Sequence, residues 1–184
     1  NRYLKWCKER VIKYPVVLPE YYKQKSKKIN PYVFIDELFK ILKKDDVVIT
    51  GNGSACVMTF QAAKIKQGQR LYTNSGSASM GYDLPASIGA AIAKKDGRII
   101  CLAGDGSLMM NLQELQTMHG YNLPIKVFVL NNNGYVSIKQ TQEAYFSDNV
   151  AGVDPKSGVT IPDFTKLGKA LNISTLKITK LSNL

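Results

Sequence analysis

Two kinds of hydrophobic pattern alternate along the chain. DVVIT at 46–50, RIICLA at 98–103 and IKVFVLN at 125–131 are apolar almost throughout, a shorter LYTN stands at 71–74, and 175–178 reads as a final strand. Between these runs, apolar residues recur at helical spacing over 3–13, 55–65, 80–93, 108–118 and 162–171. Another helix is predicted from Pro31, a residue suited to a first helical turn, with Val33, Leu38, Ile41 and Leu42 on one face. Strands without polar alternation are buried on both faces, and the intervening helices supply the cover. The pattern therefore predicts the α/β class: a doubly wound, mostly parallel sheet with helices on both faces, in three layers.

Charge divides the chain unevenly. Residues 1–44 hold 12 basic and 4 acidic residues, whereas the remaining 140 hold 13 and 10. The excess gathers around Lys23 to Lys28, near Pro15 and Pro19, without aromatic or helix-turn-helix signatures of nucleic-acid binding. Residues 1–28 read as a solvated linker from a preceding domain, and 29–184 as one domain with no nucleic-acid partner. The opening Asn1-Arg2-Tyr3, and a stop just after the last apolar stretch, point to a piece of a longer protein, truncated at its C-terminus. No apolar run approaches the length of a membrane span and no signal peptide opens the chain, so the expectation is cytoplasmic, with no membrane partner. Cys7, Cys56 and Cys101 are too scattered for a zinc site or disulfide framework and read as reduced fillers.

In doubly wound sheets ligands collect outside the carboxyl ends of the strands. Three loops predicted there are TGNGSA at 50–55, NSGSASMG at 74–81 and GDGS at 104–107. Their Gly, Ser and Asn content lets backbone amides approach a bound group closely. After GDGS the predicted helix carries Leu108, Leu112, Leu115 and Met118 on one face, with Asn111 and Glu114 resembling a capping pair at a second start. A right-handed crossover would then bring Asn131, Asn132 and Asn133 beside Asp105. One carboxylate with a carboxamide oxygen is a poor zinc site, but it suits Mg²⁺ that completes its shell with phosphate and water. GDG alone is also a common turn and NNNG a common polar loop; their adjacency at neighbouring strand ends gives the pair its meaning.

GDG followed about 28 residues later by NN resembles the signature of thiamine-diphosphate-dependent enzymes. MNLQELQTM, NLPIKVFVLNN, SASMGYDLPASIGAAIA and IPDFTKLGKAL are similar to the diphosphate-binding, C-terminal domain of the acetolactate synthase group, over about 29–178. The resemblance implies thiamine diphosphate and Mg²⁺ as cofactors. Asp105, Asn132 and the carbonyl of Gly134 would ligate the metal. Amides of Gly106 and Ser107 would hold the diphosphate, with Asn52, Gly53 and Ser54 as further contacts and Tyr135 bordering the site. The Ala78 carbonyl and Met80 amide would meet the aminopyrimidine, and the Met80 side chain would wedge the cofactor into its bent form; Met80 also fits as the first core residue of an apolar helix.

By the same resemblance the activity is decarboxylation or carboligation of a 2-keto acid substrate, as a transferase or lyase. No glutamate in the chain suits the role of protonating the pyrimidine. Glu114 lies in the crossover helix, and Glu9, Glu20, Glu37 and Glu143 fall outside the cofactor loops. The catalytic glutamate is therefore expected in a missing pyrimidine-binding domain; together with a missing central domain it implies a larger protein, assembled as a homodimer or homotetramer. Gly51 to Ser54 replace the Gln-His-Gln of biosynthetic acetolactate synthases, and Gln140-Thr141-Gln142 replace their tryptophan. A related decarboxylase or lyase with another substrate, or a non-catalytic module for a phosphate ligand, is the alternative. Tyr135 and Gln140 are candidates to border the substrate or to pack a helix, and His119, far along the crossover helix, suits a surface or capping role.

Overall fold

The structure, a computed structural model, describes residues 1–24, 28–146, 149–180 and 183. Four parallel strands form one sheet in the order β2-β1-β3-β4: β1 is Val47–Thr50, β2 Arg70–Thr73, β3 Ile99–Gly104 and β4 Ile125–Leu130. In register, Val47 stands opposite Arg70 on one side and Ile99 on the other, and Ile99 stands opposite Ile125. The helices are α1 (Arg2–Lys13), α2 (Pro19–Tyr22), α3 (Pro31–Ile41), α4 (Gly53–Ala62), α5 (Asp83–Lys94), α6 (Asp105–Leu108), α7 (Glu114–Gly120), α8 (Val136–Tyr145) and α9 (Phe164–Ala170).

Side chains alternate across each strand and sort the helices into two layers. Val47, Ile49, Ile99, Cys101 and Ala103 face a core completed by Leu84 and Ile88 of α5, Leu115 and Met118 of α7, and Phe164 and Leu167 of α9. Val48, Ile100 and Leu102 face the opposite core, with Ile35, Leu38 and Phe39 of α3 and Ala62 of α4. The doubly wound, three-layer α/β class is the one the hydrophobic pattern predicts.

Local chemistry sets several boundaries. Asn30 caps α3 by accepting from the Tyr32 amide at 2.9 Å, directly before Pro31 at the first turn. Asp163 caps α9 through the amides of Thr165 and Lys166, so this helix starts two residues after Pro162. At the amino ends of β1 and β3, Arg98 donates twice to the Asp46 carboxylate, at 3.1 and 2.5 Å. The short α2 is tied down by Tyr22, whose hydroxyl donates to the buried Asp36 of α3; Lys64 and Lys40 also contact that carboxylate, at 2.7 and 2.9 Å.

Six expectations are corrected. Residues 175–178 form no strand: Ile173 donates its amide to Gly168 and Thr175 its hydroxyl to Thr165, folding the segment back onto α9, with Leu176 exposed. The helix over 108–118 is broken into α6, one 3-10 turn over Met109–Asn111, and α7. Asn111 does not cap α7; its side-chain amide instead donates to the Gly81 carbonyl at 2.8 Å, which draws that turn toward another loop. The helix over 80–93 starts only at Asp83, because Gly81 takes φ +82°. The helix expected over 55–65 spans Gly53–Ala62, where Ala63 turns extended. Full burial of the strands holds for β1 and nearly so for β3, whereas the edge strands β2 and β4 are largely half-buried or exposed.

Outside this core, α1 buries none of its residues. The lysine run is only partly described, since Lys25, Ser26 and Lys27 lie outside the described residues, as do Ser147 and Asp148 after α8. No helix among the described residues is long and apolar enough to cross a membrane.

Candidate functional site

Because the strands are parallel, the loops after β1, β2, β3 and β4 all emerge along one edge of the sheet. The chain leaves β1 for β2 on one side, then returns past β1 to build β3 and β4 on the other. The strand order thus reverses between β1 and β3, which opens a crevice at their carboxyl ends.

Asp105 stands at the end of β3 and is 1% exposed. Its Oδ2 accepts the backbone amides of Asn132, Asn133 and Gly134, at 3.1, 2.7 and 3.1 Å. Its Oδ1 accepts the Gly106 amide at 2.7 Å. The loops after β3 and β4 are therefore closed onto one carboxylate. Asn131 adds to the second loop by accepting the Asn133 amide at 3.1 Å, and Asn133 takes φ +70°, a left-handed conformation that asparagine tolerates.

Gly134 is buried with φ +138°, and a Cβ there would run into the Val153 carbonyl oxygen. Only glycine fits at this position. The next residue, Tyr135, donates its amide to that carbonyl at 2.8 Å and lays its half-buried ring over Gly106. A cleft of about 320 Å³ opens beside this loop, lined in part by Asn132, Gly134, Val136, Lys139, Val153 and Asp154. The Lys139 ammonium, 2.7 Å away, and a hydrogen bond from Ser157 hold the Asp154 carboxyl down at about 2. Gln140 is exposed on α8.

Ser107 is buried, but its hydroxyl is directed sideways: it accepts the Gly81 amide at 2.9 Å and donates to Asp83 Oδ2 at 2.7 Å. These bonds fasten the 74–81 loop to the Asp105 loop. Within the first of these, Ala78 holds φ +50°, an unusual conformation for a non-glycine residue, and Met80 is 41% exposed. Met80 therefore stands in a loop, outside the core of α5.

Asn52, Gly53 and Ser54 begin α4 on the other side of the crevice. Asn52 occupies the cap position without capping, and its side-chain Nδ2 is buried with no partner. A buried amide donor lacking an acceptor costs free energy unless a ligand supplies one.

These features fit a diphosphate held through a hard cation. Asp105 Oδ1 makes one hydrogen bond among the described residues, which leaves carboxylate acceptor capacity for a cation. No group of three or more His, Cys, Asp or Glu residues that could hold a metal occurs among the described residues, so a cation here would draw on carbonyl, phosphate and water oxygens. Asn52 Nδ2 is a free donor across the same crevice.

A family model described as thiamine pyrophosphate enzyme, C-terminal TPP binding domain, matches residues 51–184. The chain belongs to this family. Among curated relatives, an acetolactate synthase large subunit from Cyanidium caldarium is 36% identical over 184 residues, all of this chain and 29% of the relative. An acetolactate synthase 2, chloroplastic, from Zea mays is 33% identical over 165 residues, 88% of this chain and 26% of the relative. A large subunit from Buchnera aphidicola subsp. Schizaphis graminum is 33% identical over 157 residues, 85% and 27%. The chain thus spans less than a third of the length of these relatives.

Within this thiamine pyrophosphate enzyme domain, the five glutamates lie on helices. Glu37 pairs with Lys40, Glu143 stands 3.8 Å from Lys139, Glu114 opens α7, and Glu9 and Glu20 lie on α1 and α2. His119 is half-buried in the last turn of α7, and its carbonyl accepts the Asn122 amide. The feature that sequence reasoning missed is Asp83. Its signal was a lone acid inside the otherwise apolar SMGYDLPASIGAAIA.

Proposed function

We propose that residues 29–184 hold thiamine diphosphate through Mg²⁺, as the C-terminal domain of a larger enzyme that decarboxylates or carboligates 2-keto acids in the manner of acetolactate synthase. The observation that carries this reading is the Asp105 carboxylate, which gathers the amides of residues 132–134 on one oxygen while its other oxygen takes one hydrogen bond. Asp105, the Asn132 side chain and the Gly134 carbonyl are the metal ligands. The Ser107 amide faces the diphosphate, joined by that of Gly106 once it releases Asp105 Oδ1, and Asn52 Nδ2, Gly53 and Ser54 meet it from the β1 side. The Ala78 carbonyl, the Met80 amide and the Met80 side chain receive the ring end, and Tyr135 braces the Gly106 backbone. When bound, the cofactor supplies an electron sink for loss of CO₂ from a 2-keto acid.

The residues of this chain bind and orient. The glutamate that activates the pyrimidine comes from a pyrimidine-binding domain outside these residues, across a homodimer or homotetramer interface, with residues 1–28 as the connection to a central domain. Gly51 to Ser54 and Gln140 to Gln142 depart from the biosynthetic acetolactate synthase pattern, which supports a relative with its own substrate or acceptor within the 2-keto acid class.

The test is calorimetric titration of thiamine diphosphate into the larger protein that carries this domain, in Mg²⁺ buffer; the 184 residues alone are expected to bind it weakly or not at all. Binding is expected with Mg²⁺ and is lost in chelator or with Asp105→Ala. Unchanged binding by Asp105→Ala overturns the assignment.

A further inference from the structure

Asp83 is 1% exposed at the first turn of α5, and no cation is paired with it among the described residues. Burial pushes its carboxyl above the usual range, against the hydrogen bonds from Ser107 and Leu84. A buried, unpaired carboxylate is a costly way to fill space. Its position gives the reason. A Cβ on Gly51, just past β1, would lie 2.6 Å from Asp83 Oδ2, and Ser107, just past β3, donates to the same oxygen at 2.7 Å. The carboxylate is the floor of the crevice where the strand order reverses.

Hydrogen-bond direction matters here. A serine hydroxyl can donate or accept, whereas an ionised carboxylate only accepts. Toward the ionised carboxylate Ser107 donates, and its lone pairs face the Gly81 amide, 2.9 Å away. The Gly81 carbonyl is held in turn by Asn111 at 2.8 Å. Both backbone groups of Gly81 are thus fixed by residues that follow β3. Met80, the neighbouring residue, is 41% exposed, so packing does not fix it. Its place depends on the Gly81 clamp.

We propose that Asp83 is a positioning residue: by fixing the direction of the Ser107 hydroxyl, it locks the Met80–Gly81 segment onto the Asp105 loop, so that the ring-binding and diphosphate-binding halves of the site keep one spacing. The proposal rests on the cofactor reading above, and two probes separate them. Thiamine diphosphate uses both halves, whereas inorganic pyrophosphate uses only the Asp105 half.

The variant is Asp83→Asn in the same larger protein. It is nearly isosteric and removes a buried charge, so it folds at least as well as wild type, but it no longer forces Ser107 to donate. With Mg²⁺ present, calorimetry is expected to show thiamine diphosphate binding weakened about tenfold, the scale of one hydrogen bond, while pyrophosphate binding stays within about twofold. Gly81 amide exchange, followed by NMR without ligand, should speed up in Asp83→Asn and in Ser107→Ala. A purely structural role would instead lower thermal stability and move both affinities together, and that result overturns the proposal. So does unchanged Gly81 exchange. Wild type that binds neither probe overturns the cofactor reading, and this proposal with it.

Discussion

Removing the Asp105 side chain tests whether the site is assembled before any metal arrives. In Asp105→Ala four backbone amides lose the carboxylate as acceptor, those of Gly106 and Asn133 at 2.7 Å and those of Asn132 and Gly134 at 3.1 Å, while Asn133 keeps Asn131 Oδ1. Asn132 and Asn133 are exposed, so water replaces the carboxylate for them, whereas Gly106 and Gly134 are buried. Two orphaned donors cost about 4 kcal/mol, and relief of the buried charge returns part of this, leaving a net loss of about 3 kcal/mol. For a chain of this size that lowers the melting midpoint by about 8 °C. Asp105→Asn keeps an acceptor for the 132–134 loop but turns a donor toward Gly106, and should lose only about 1 kcal/mol. The assay is urea unfolding in chelator, followed by far-UV circular dichroism. Fluorescence is a poor probe, because the single tryptophan, Trp6, is 51% exposed on a helix with no buried residue. If Asp105→Ala unfolds within about 0.5 kcal/mol of wild type, the carboxylate does not organise the loop. A second arm adds Mg²⁺ with pyrophosphate, which stabilises the state that binds it. Equal stabilisation of wild type and both variants would place the cation elsewhere.

Gly134→Ala is expected to be more damaging than its single methyl suggests, because φ is +138° and the new Cβ meets a backbone carbonyl that cannot swing aside; a loss of about 3 kcal/mol or more in the same urea assay is the outcome, and a loss under about 1 kcal/mol would mean that the Val153 segment yields freely. Acid should destabilise the domain through Asp36 and Asp46. Both carboxyls are held below their ordinary value of 3.8: although burial acts the other way, Lys64 and Tyr22 hydrogen bonds outweigh it at Asp36, and Arg98 does so at Asp46. Groups with lowered values contribute stability that is complete above the unfolded value and is lost as pH falls through the folded one. Asp83 has the opposite sign, since its raised value makes folding more favourable as pH falls toward the ordinary 3.8. Urea midpoints from neutral pH downward should therefore fall most steeply below 3.8, and Asp36→Asn should flatten that limb; a midpoint that is constant down to pH 2 would contradict both assignments.

How much of this was legible in the sequence depends on how far apart the interacting residues lie. The core strands were readable because β1 and β3 are covered on both faces and carry no polar alternation. The edges were not. Residues 175–178 have strand-like apolar content, but Ile173 and Thr175 bond to α9, and that local bonding decided against the sheet. The continuous helix over 108–118 failed for a similar reason. Its apolar spacing is real, since Leu115 and Met118 do enter the core, yet Asn111 is drawn out of register by a carbonyl 30 residues earlier. Periodicity reports which face is buried and says nothing of a polar side chain recruited by a distant loop.

The same distinction separates the two acids of the site. Asp105 and the 132–134 loop lie one crossover apart on adjacent strands, so strand pairing alone brings them together, and their spacing in sequence announces it. Asp83 meets Gly51 and Ser107, which flank the reversal between β1 and β3. That meeting requires the strand order itself, which no spacing encodes, and a bare glycine at 51 to leave room for the oxygen. The residue that names the ligand chemistry was therefore visible from the chain, while the one that sets the two halves of the site in register became visible only once the sheet was assembled. If Asp83→Asn leaves the Gly81 amide as protected as before, the register is set by the backbone of α5 alone, and the buried carboxylate is left without a reason.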